Sequence, residues 1–207
     1  MGRVALFGGT FDPPHLGHLV IAETAREALR LDRVEFLPAP DPPHKTDTPR
    51  SPFADRVTMV ELAIAGTPGF SLNRSEAQRP GPSYTVDTLR LRRAERPDES
   101  LWFLIGADSL LDLPTWREPG AIIRLARLAV AARPESPVDL ERIERPLPGV
   151  TAAADLVATP LIDISSRDLR RRVSEGLSIR FRTPAAVLEH IRDRGLYLPG
   201  ESARSMS

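Results

Sequence analysis

Gly8-Gly9-Thr10-Phe11-Asp12-Pro13-Pro14-His15-Leu16-Gly17-His18 decides how this chain reads. It follows an apolar run, Val4 to Phe7, that reads as a short buried strand, and an amphipathic segment opens right behind it, Leu19 through Leu31. A glycine pair lets the backbone approach a ligand closely, and a helix N-terminus turns free N–H groups toward an anion. His15 and His18, three apart at that helix start, add ring donors suited to phosphate oxygens. A glycine turn with two surface histidines is the plain alternative, but eleven consecutive positions fit one phosphate-binding logic. Together they describe a nucleoside triphosphate site.

Outward from that run, short apolar stretches alternate with helical patterns. Candidate strands are Val4–Phe7, Val34–Leu37, Phe70–Asn73, Leu101–Ile105, Leu128–Ala132 and a last one near Leu161–Ile164. Helical segments fall near His18–Leu31, Pro52–Ala65, Thr85–Arg96 and Ala121–Leu125. This alternation predicts an α/β fold, a doubly wound parallel sheet with crossover helices. Ligands then sit at the carboxyl ends of the strands, near the switch in strand order, where the Gly8 loop falls if Val4–Phe7 is central. Ser51-Pro52 and Thr183-Pro184 read as N-caps followed by proline at the first helical position. The second of these helices is expected to run to Arg194 and stop at Gly195. The stretches Pro38–Pro43 and Pro134–Pro148 read as loops, and the tail beyond residue 198 as disordered. Residues 1–198 show no internal repeat and no domain boundary, so one domain is expected.

Composition narrows the partners. The chain has 207 residues, with 28 acidic and 28 basic side chains in balance, so no global field points to nucleic acid or an anionic membrane. Arg90, Arg92, Arg93 and the cluster around Arg170 lack the aromatic interleaving of an RNA-binding face. No cysteine is present, which excludes disulfides and cysteine-ligated zinc. No apolar run approaches membrane-spanning length and no signal-peptide layout precedes Val4, so a soluble cytoplasmic protein is expected. A homo-oligomer is left open. Lys45 is the only lysine and lies in Pro42-Pro43-His44-Lys45, a rigid loop after a strand; an accidental surface lysine is the alternative.

A second anchor lies near the C-terminus. Ile164-Ser165-Ser166-Arg167-Asp168-Leu169-Arg170 follows the last strand and opens a helix. Ser165 or Ser166 is a natural N-cap, and Arg170 falls just over one turn inside, able to fold back toward a phosphate at that terminus. Arg171 and Arg172 read as surface charges, because successive helix positions do not face one ligand. Elsewhere Gly106 ends a strand and permits close approach, and Asp108 is placed to accept from ribose hydroxyls, though an aspartate after a strand is often a turn-former. Trp116, in Pro114-Thr115-Trp116, offers a flat face from a loop.

The first run resembles the GxFDPxHxGH signature of the nucleotidyltransferases, with His15-Leu16-Gly17-His18 as its HxGH element and Ser165 to Arg170 as the matching SxxxxR. Three further segments are similar to bacterial nicotinate-mononucleotide adenylyltransferases: Pro42-Pro43-His44-Lys45, Ser83-Tyr84-Thr85-Val86-Asp87-Thr88-Leu89, and Ile105-Gly106-Ala107-Asp108-Ser109 running on to Trp116. In that branch the C-terminal run is commonly ISSTxIR; this chain has Arg167 at the threonine position. The resemblance implies a Rossmann-like fold of the HxGH type with a small C-terminal helical portion. It implies transfer of the adenylyl group of ATP to nicotinate mononucleotide, giving deamido-NAD and pyrophosphate. His15, His18 and Arg170 would be catalytic, and Gly8, Gly9, Thr10, Phe11, Gly106, Asp108 and Ser165 would join them in holding ATP. His44 or Lys45 would neutralise the mononucleotide phosphate, Thr85 would offer its N–H to the nicotinate carboxylate, and Trp116 would face the pyridine ring. Tyr84 either joins that pocket or packs beneath the loop. Magnesium is expected, bound mainly through the ATP phosphates, with no protein metal ligand named. Rival readings are nicotinamide mononucleotide or phosphopantetheine as acceptor, and a non-catalytic nucleotide sensor.

Overall fold

The computed structural model describes residues 2–40, 50–79, 81–132 and 138–199. Six strands form one parallel sheet in the order β3-β2-β1-β4-β5-β6: β1 (Arg3–Gly9), β2 (Arg33–Pro38), β3 (Phe70–Leu72), β4 (Ser100–Gly106), β5 (Arg127–Ala132) and β6 (Ala154–Ala158). This is the doubly wound order, and the connection reverses direction between β1 and β4. The connections that leave the C-terminal ends of those two strands therefore run to opposite faces of the sheet and leave a crevice between them.

The central strands read as nearly continuous apolar runs because both faces are covered. Along β1 and β4, Ala5, Phe7, Trp102 and Leu104 enter one core, while Leu6, Leu101, Phe103 and Ile105 enter the other. The first core takes α1 (Leu16–Ala28), α2 (Phe53–Ile64), α8 (Ser166–Ser174) and α9 (Ala185–Asp193), through residues such as Ala22, Ala25, Met59, Leu169 and Val187. The second takes α3 (Thr85–Glu95), α4 (Ala107–Asp112), α5 (Pro119–Leu125), α6 (Leu140–Glu144) and α7 (Val150–Ala153), through Val86, Leu89, Leu110, Ile122, Ile143 and Val150. Each fully buried leucine, isoleucine or phenylalanine contributes about 1.5–3 kcal/mol, so the alternating strand faces dominate the stability of both layers.

The structure revises the sequence reading at several points. The last strand is Ala154–Ala158, and residues 161–164 are an irregular approach to α8. It forms the sheet edge, where only Val157 is buried and Leu156 is exposed, so it lacks the apolar run of a central strand. The expected loop to Pro148 contains α6, capped by the Asp139 carboxylate accepting from the Arg142 N–H at 3.1 Å. Neither Ser51 nor Thr183 caps its helix: α2 starts at Phe53 and α9 at Ala185, each behind the proline. The helix ending agrees with its glycine signal, since α9 closes at Asp193 and Gly195 takes the left-handed conformation, φ 65°. Among the described residues no helix is long and apolar enough to cross a membrane.

Candidate active site

Between β1 and α1 the chain passes through Phe11 to His15, all five residues buried. Pro13 and Pro14 carry no N–H, and the carbonyls of this loop cannot turn to water, so donors must come from elsewhere. Remote side chains supply them. Arg56 Nη1 donates to the Thr10 carbonyl at 2.9 Å and Arg170 Nη1 to the Asp12 carbonyl at 2.6 Å. Ser166 Oγ donates to the Pro13 carbonyl and Thr183 Oγ1 to the Pro14 carbonyl, both at 2.8 Å. The Asp12 carboxylate accepts from the Tyr197 hydroxyl at 2.6 Å and the Ser51 N–H at 3.2 Å. Burial, reinforced by the Asp12 carboxylate, pushes the Tyr197 phenol up, so it remains a donor. Ser51 and Thr183, read as helix caps, instead brace this loop.

Phe11 adopts φ 50°, which folds its ring back over the end of β1. A Cβ on Gly9 would lie 2.9 Å from that ring, and a Cβ on Gly8 would lie 3.1 Å from the ring of Phe103. The glycine pair is thus required by aromatic packing as well as by any ligand. Gly106 at the end of β4 differs, because a Cβ there would meet nothing within 4 Å. It faces open space.

The two histidines have separate environments. The His15 N–H donates to His18 Nδ1 at 3.2 Å, and the rings stack with centroids 3.7 Å apart. An accepting Nδ1 assigns the proton of a neutral His18 ring to Nε2. Phe7 and Phe11 pack edge-on against His18, with centroids at 6.0 and 5.1 Å. His15 is buried beneath it, and desolvation pushes its pKa down to about 4, so the ring is neutral at neutral pH. Its Nδ1 has no hydrogen-bond partner among the described residues. A Cβ on Gly17 would come within 3.0 Å of that nitrogen, so the glycine of His15-Leu16-Gly17-His18 makes room for the ring.

A cavity of about 460 Å³ opens at the C-terminal ends of β1 and β4. One wall carries Gly8, Gly9, Thr10 and His18; another carries Ser83, Tyr84, Thr85, Trp116 and Arg117, with Gly106 and Phe103 between. Thr85 is the first residue of α3, so its N–H has no partner within the helix. Trp116 is half-buried and meets Phe103 edge-on at 6.2 Å. Tyr84 lines the cavity and also packs beneath the Arg117 guanidinium, 4.6 Å from its ring.

Other expected residues stand outside the lining. Phe11 and His15 lie behind it as support. Asp108 is exposed on the first turn of α4, which begins right after Gly106, while Ser109 and Asp112 of the same helix line the cavity. Ser165 is the N-cap of α8, accepting from the Asp168 N–H at 3.1 Å, and is itself exposed. Arg170 reaches the backbone of the loop between β1 and α1 from α8 and has further guanidinium donors beyond the one on Asp12. His44 and Lys45 lie outside the described residues. Sequence reasoning passed over the bracing roles of Asp12, Arg56 and Tyr197 and gave Thr183 a different one, although Pro13-Pro14 was a signal, since two adjacent prolines leave carbonyls that need foreign donors.

A cytidylyltransferase-like family model matches residues 6–172. A protein of Thermomicrobium roseum named "probable nicotinate-nucleotide adenylyltransferase" is 51% identical over 95% of this chain and 92% of its own length. One of the same name from Thermus thermophilus is 46% identical over 94% of this chain and 99% of its own. This chain belongs to the nicotinate-nucleotide adenylyltransferase family. Among solved structures, the Plasmodium falciparum nicotinic acid mononucleotide adenylyltransferase complexed with NaAD superposes with a TM-score of 0.76 over 95% of this chain and 98% of its own, at 18% identity. That match speaks for the fold alone, and the six-stranded parallel sheet of this family member agrees with it.

Proposed function

We propose that this protein transfers the adenylyl group of ATP to nicotinate mononucleotide, giving nicotinate adenine dinucleotide and pyrophosphate, a step in NAD biosynthesis carried out by a soluble cytoplasmic enzyme whose residues 1–198 act as one domain. The observation that carries this reading is the shared cavity: His18 and the strand-end glycines of the phosphate wall open into the same space as Thr85 and Trp116. Such a space suits two nucleotides brought into contact.

In the reaction a phosphate oxygen of the mononucleotide attacks the α-phosphorus of ATP in line. The new P–O bond forms as the bond to the β-phosphate bridging oxygen breaks, and pyrophosphate leaves. The attacking oxygen is already ionised near neutrality, so no general base is required. Acceleration comes from alignment and from donors aimed at the charge that develops. His18 Nε2–H is the donor for the α-phosphate, with the N–H groups of Gly9 to Phe11 beside it. His15, neutral and stacked, fixes the His18 ring. Arg170 holds the departing pyrophosphate with the donors it has free of Asp12, and Ser165 supports it through the start of α8. Thr85 N–H meets the nicotinate carboxylate, and Trp116 faces the pyridine ring.

Magnesium, when bound with ATP, would offset charge on the leaving pyrophosphate. Among the described residues no cluster of three or more histidine, aspartate or glutamate side chains could hold a metal ion. That donor set suits an ion carried by phosphates and water. The test is pyrophosphate release from ATP and magnesium with nicotinate mononucleotide, its amide and phosphopantetheine compared in parallel. Strong preference for the acid is expected. Turnover with another acceptor would retain the phosphate wall and overturn the acceptor assignment, and no release with any of the three would overturn the enzymatic reading.

A further inference from the structure

Glu76 is a carboxylate that the reaction above does not use. It belongs to a short 3₁₀ turn, Ser75–Gln78, that follows β3 at the same edge of the sheet as the cavity, and it is one of the residues lining that cavity. It is 5% exposed. The turn is set by Asn73, whose Oδ1 accepts the Ser75 N–H at 2.9 Å and whose own N–H donates to the Phe36 carbonyl of β2 at 2.8 Å. Glu76 is therefore fixed to the sheet.

From there it reaches across to α3. Thr88 Oγ1, itself buried, donates to Glu76 Oε1 at 2.7 Å. Arg79 donates in turn to the Thr88 oxygen and stands 3.8 Å from the Glu76 carboxylate. Donor and acceptor roles run one way through this chain, from guanidinium to hydroxyl to carboxylate. Burial raises the Glu76 pKa, opposed by the bond from Thr88, the charge of Arg79 and a bond from Ser83. A carboxylate desolvated in this way is costly unless its partners stay in place.

Thr88 lies one helical turn beyond Thr85 and Tyr84, and its N–H closes back on the Tyr84 carbonyl at 3.3 Å. Holding Thr88 to the sheet thereby holds the first turn of α3. We infer that Glu76, acting through Thr88, is a positioning residue for the acceptor, setting where Tyr84 and the Thr85 N–H stand relative to Trp116. The inference rests on the acceptor assignment proposed above. Its physical content is that the sheet, and not the segment before α3, dictates the geometry of the acceptor wall.

The test uses the full chain with Thr88→Val, Thr88→Ser and Glu76→Gln. Valine keeps the shape of threonine and removes the hydroxyl; serine keeps the hydroxyl. A bond to a charged acceptor at a positioning site predicts that Thr88→Val raises KM for nicotinate mononucleotide about tenfold, with KM for ATP within about twofold. Thr88→Ser should return the acceptor KM to within about twofold of the parent. Binding of the mononucleotide without ATP, read by quenching of tryptophan fluorescence, should move in parallel with KM. Equal rises in both KM values, an unchanged acceptor KM in Thr88→Val, or a serine variant as impaired as valine would each overturn the inference. If Thr88→Val does not fold, Glu76→Gln, which keeps an acceptor oxygen and loses the pairing with Arg79, is read by the same split: a selective rise in acceptor KM supports the inference and a uniform one overturns it. Failure of the functional reading is separate, because the parent protein itself would then release no pyrophosphate with this acceptor.

Discussion

The phosphate wall and the acceptor wall of one cavity are built in different ways. The phosphate wall rests on a buried loop whose backbone is satisfied by side chains 46, 153, 158 and 169 residues away in the chain. The acceptor wall is held by partners nearer in the chain: Glu76 and Thr88, both buried, are 12 residues apart, and the exposed Arg90 grips Glu118 in a two-pronged pair across 28 residues. Arg117, which covers Tyr84, is exposed and pairs loosely with Asp87 at 3.5 Å. Exposed pairs of this kind contribute about 0–1 kcal/mol each. The wall proposed for the triphosphate therefore depends on contacts made only by the completed fold, while the wall proposed for the acceptor is tied by shorter-range contacts, one of them buried and the others exposed.

The largest test of that contrast is Arg56. The residue is 2% exposed, and its guanidinium donates to the carbonyls of Thr10, Ala39, Pro40 and Ser51. Arg56→Met keeps the volume and strands those carbonyls, so the expected loss is about 4 kcal/mol of unfolding free energy by urea denaturation. A loss below about 1 kcal/mol would mean that the loop tolerates unsatisfied carbonyls and is not rigid.

His18→Ala comes next. Loss of one donor to the transition state predicts turnover lower by about 10²–10³ with a small change in stability. Near-normal turnover would remove His18 from the chemistry. His15 adds a pH effect to the same wall. Its folded pKa of about 4 lies below the ordinary value of about 6.5. Between those values the unfolded chain binds a proton that the native state refuses, so stability is full above about pH 6.5 and is lost as pH falls toward 4, by about 3 kcal/mol. Glu76, with a raised pKa, slopes the opposite way, so the comparison is between the parent and His15→Gln across that window. The variant should show a shallower acid limb in its denaturation midpoints; parallel limbs would mean that His15 is not desolvated.

The same contrast explains what could be read from the sequence. The strand, loop and helix around Gly8 were legible because each element carries its own local signal: an apolar run, glycines, and a capped amphipathic helix. The capping role of Ser165 was legible for the same reason. The jobs of Ser51 and Thr183 were not, because a hydroxyl or N–H before a proline looks like a helix start until the fold brings Asp12 and Pro14 within reach. Arg56 on α2 gave no signal, since burial of an arginine depends on carbonyls from two connections, β1–α1 and β2–α2, that only the fold brings together. β6 escaped because an edge strand with Asp155 and an exposed Leu156 lacks the pattern of a buried one.

Trp116 gives the smallest effect and the sharpest separation of the two walls. It is half-buried, touches the second core through Phe103, and lines the cavity. If its face meets the pyridine ring, Trp116→Ala should weaken nicotinate mononucleotide about tenfold, the scale of one aromatic contact with its buried area, and leave ATP affinity nearly intact. Calorimetric titration of each ligand reads this directly. Equal losses for both ligands would mean that the residue acts through the core it shares with Phe103, whose ring also fills the space beside Gly8. The two walls would then be coupled through that one phenylalanine, and the acceptor wall would depend on the same packing as the loop it faces.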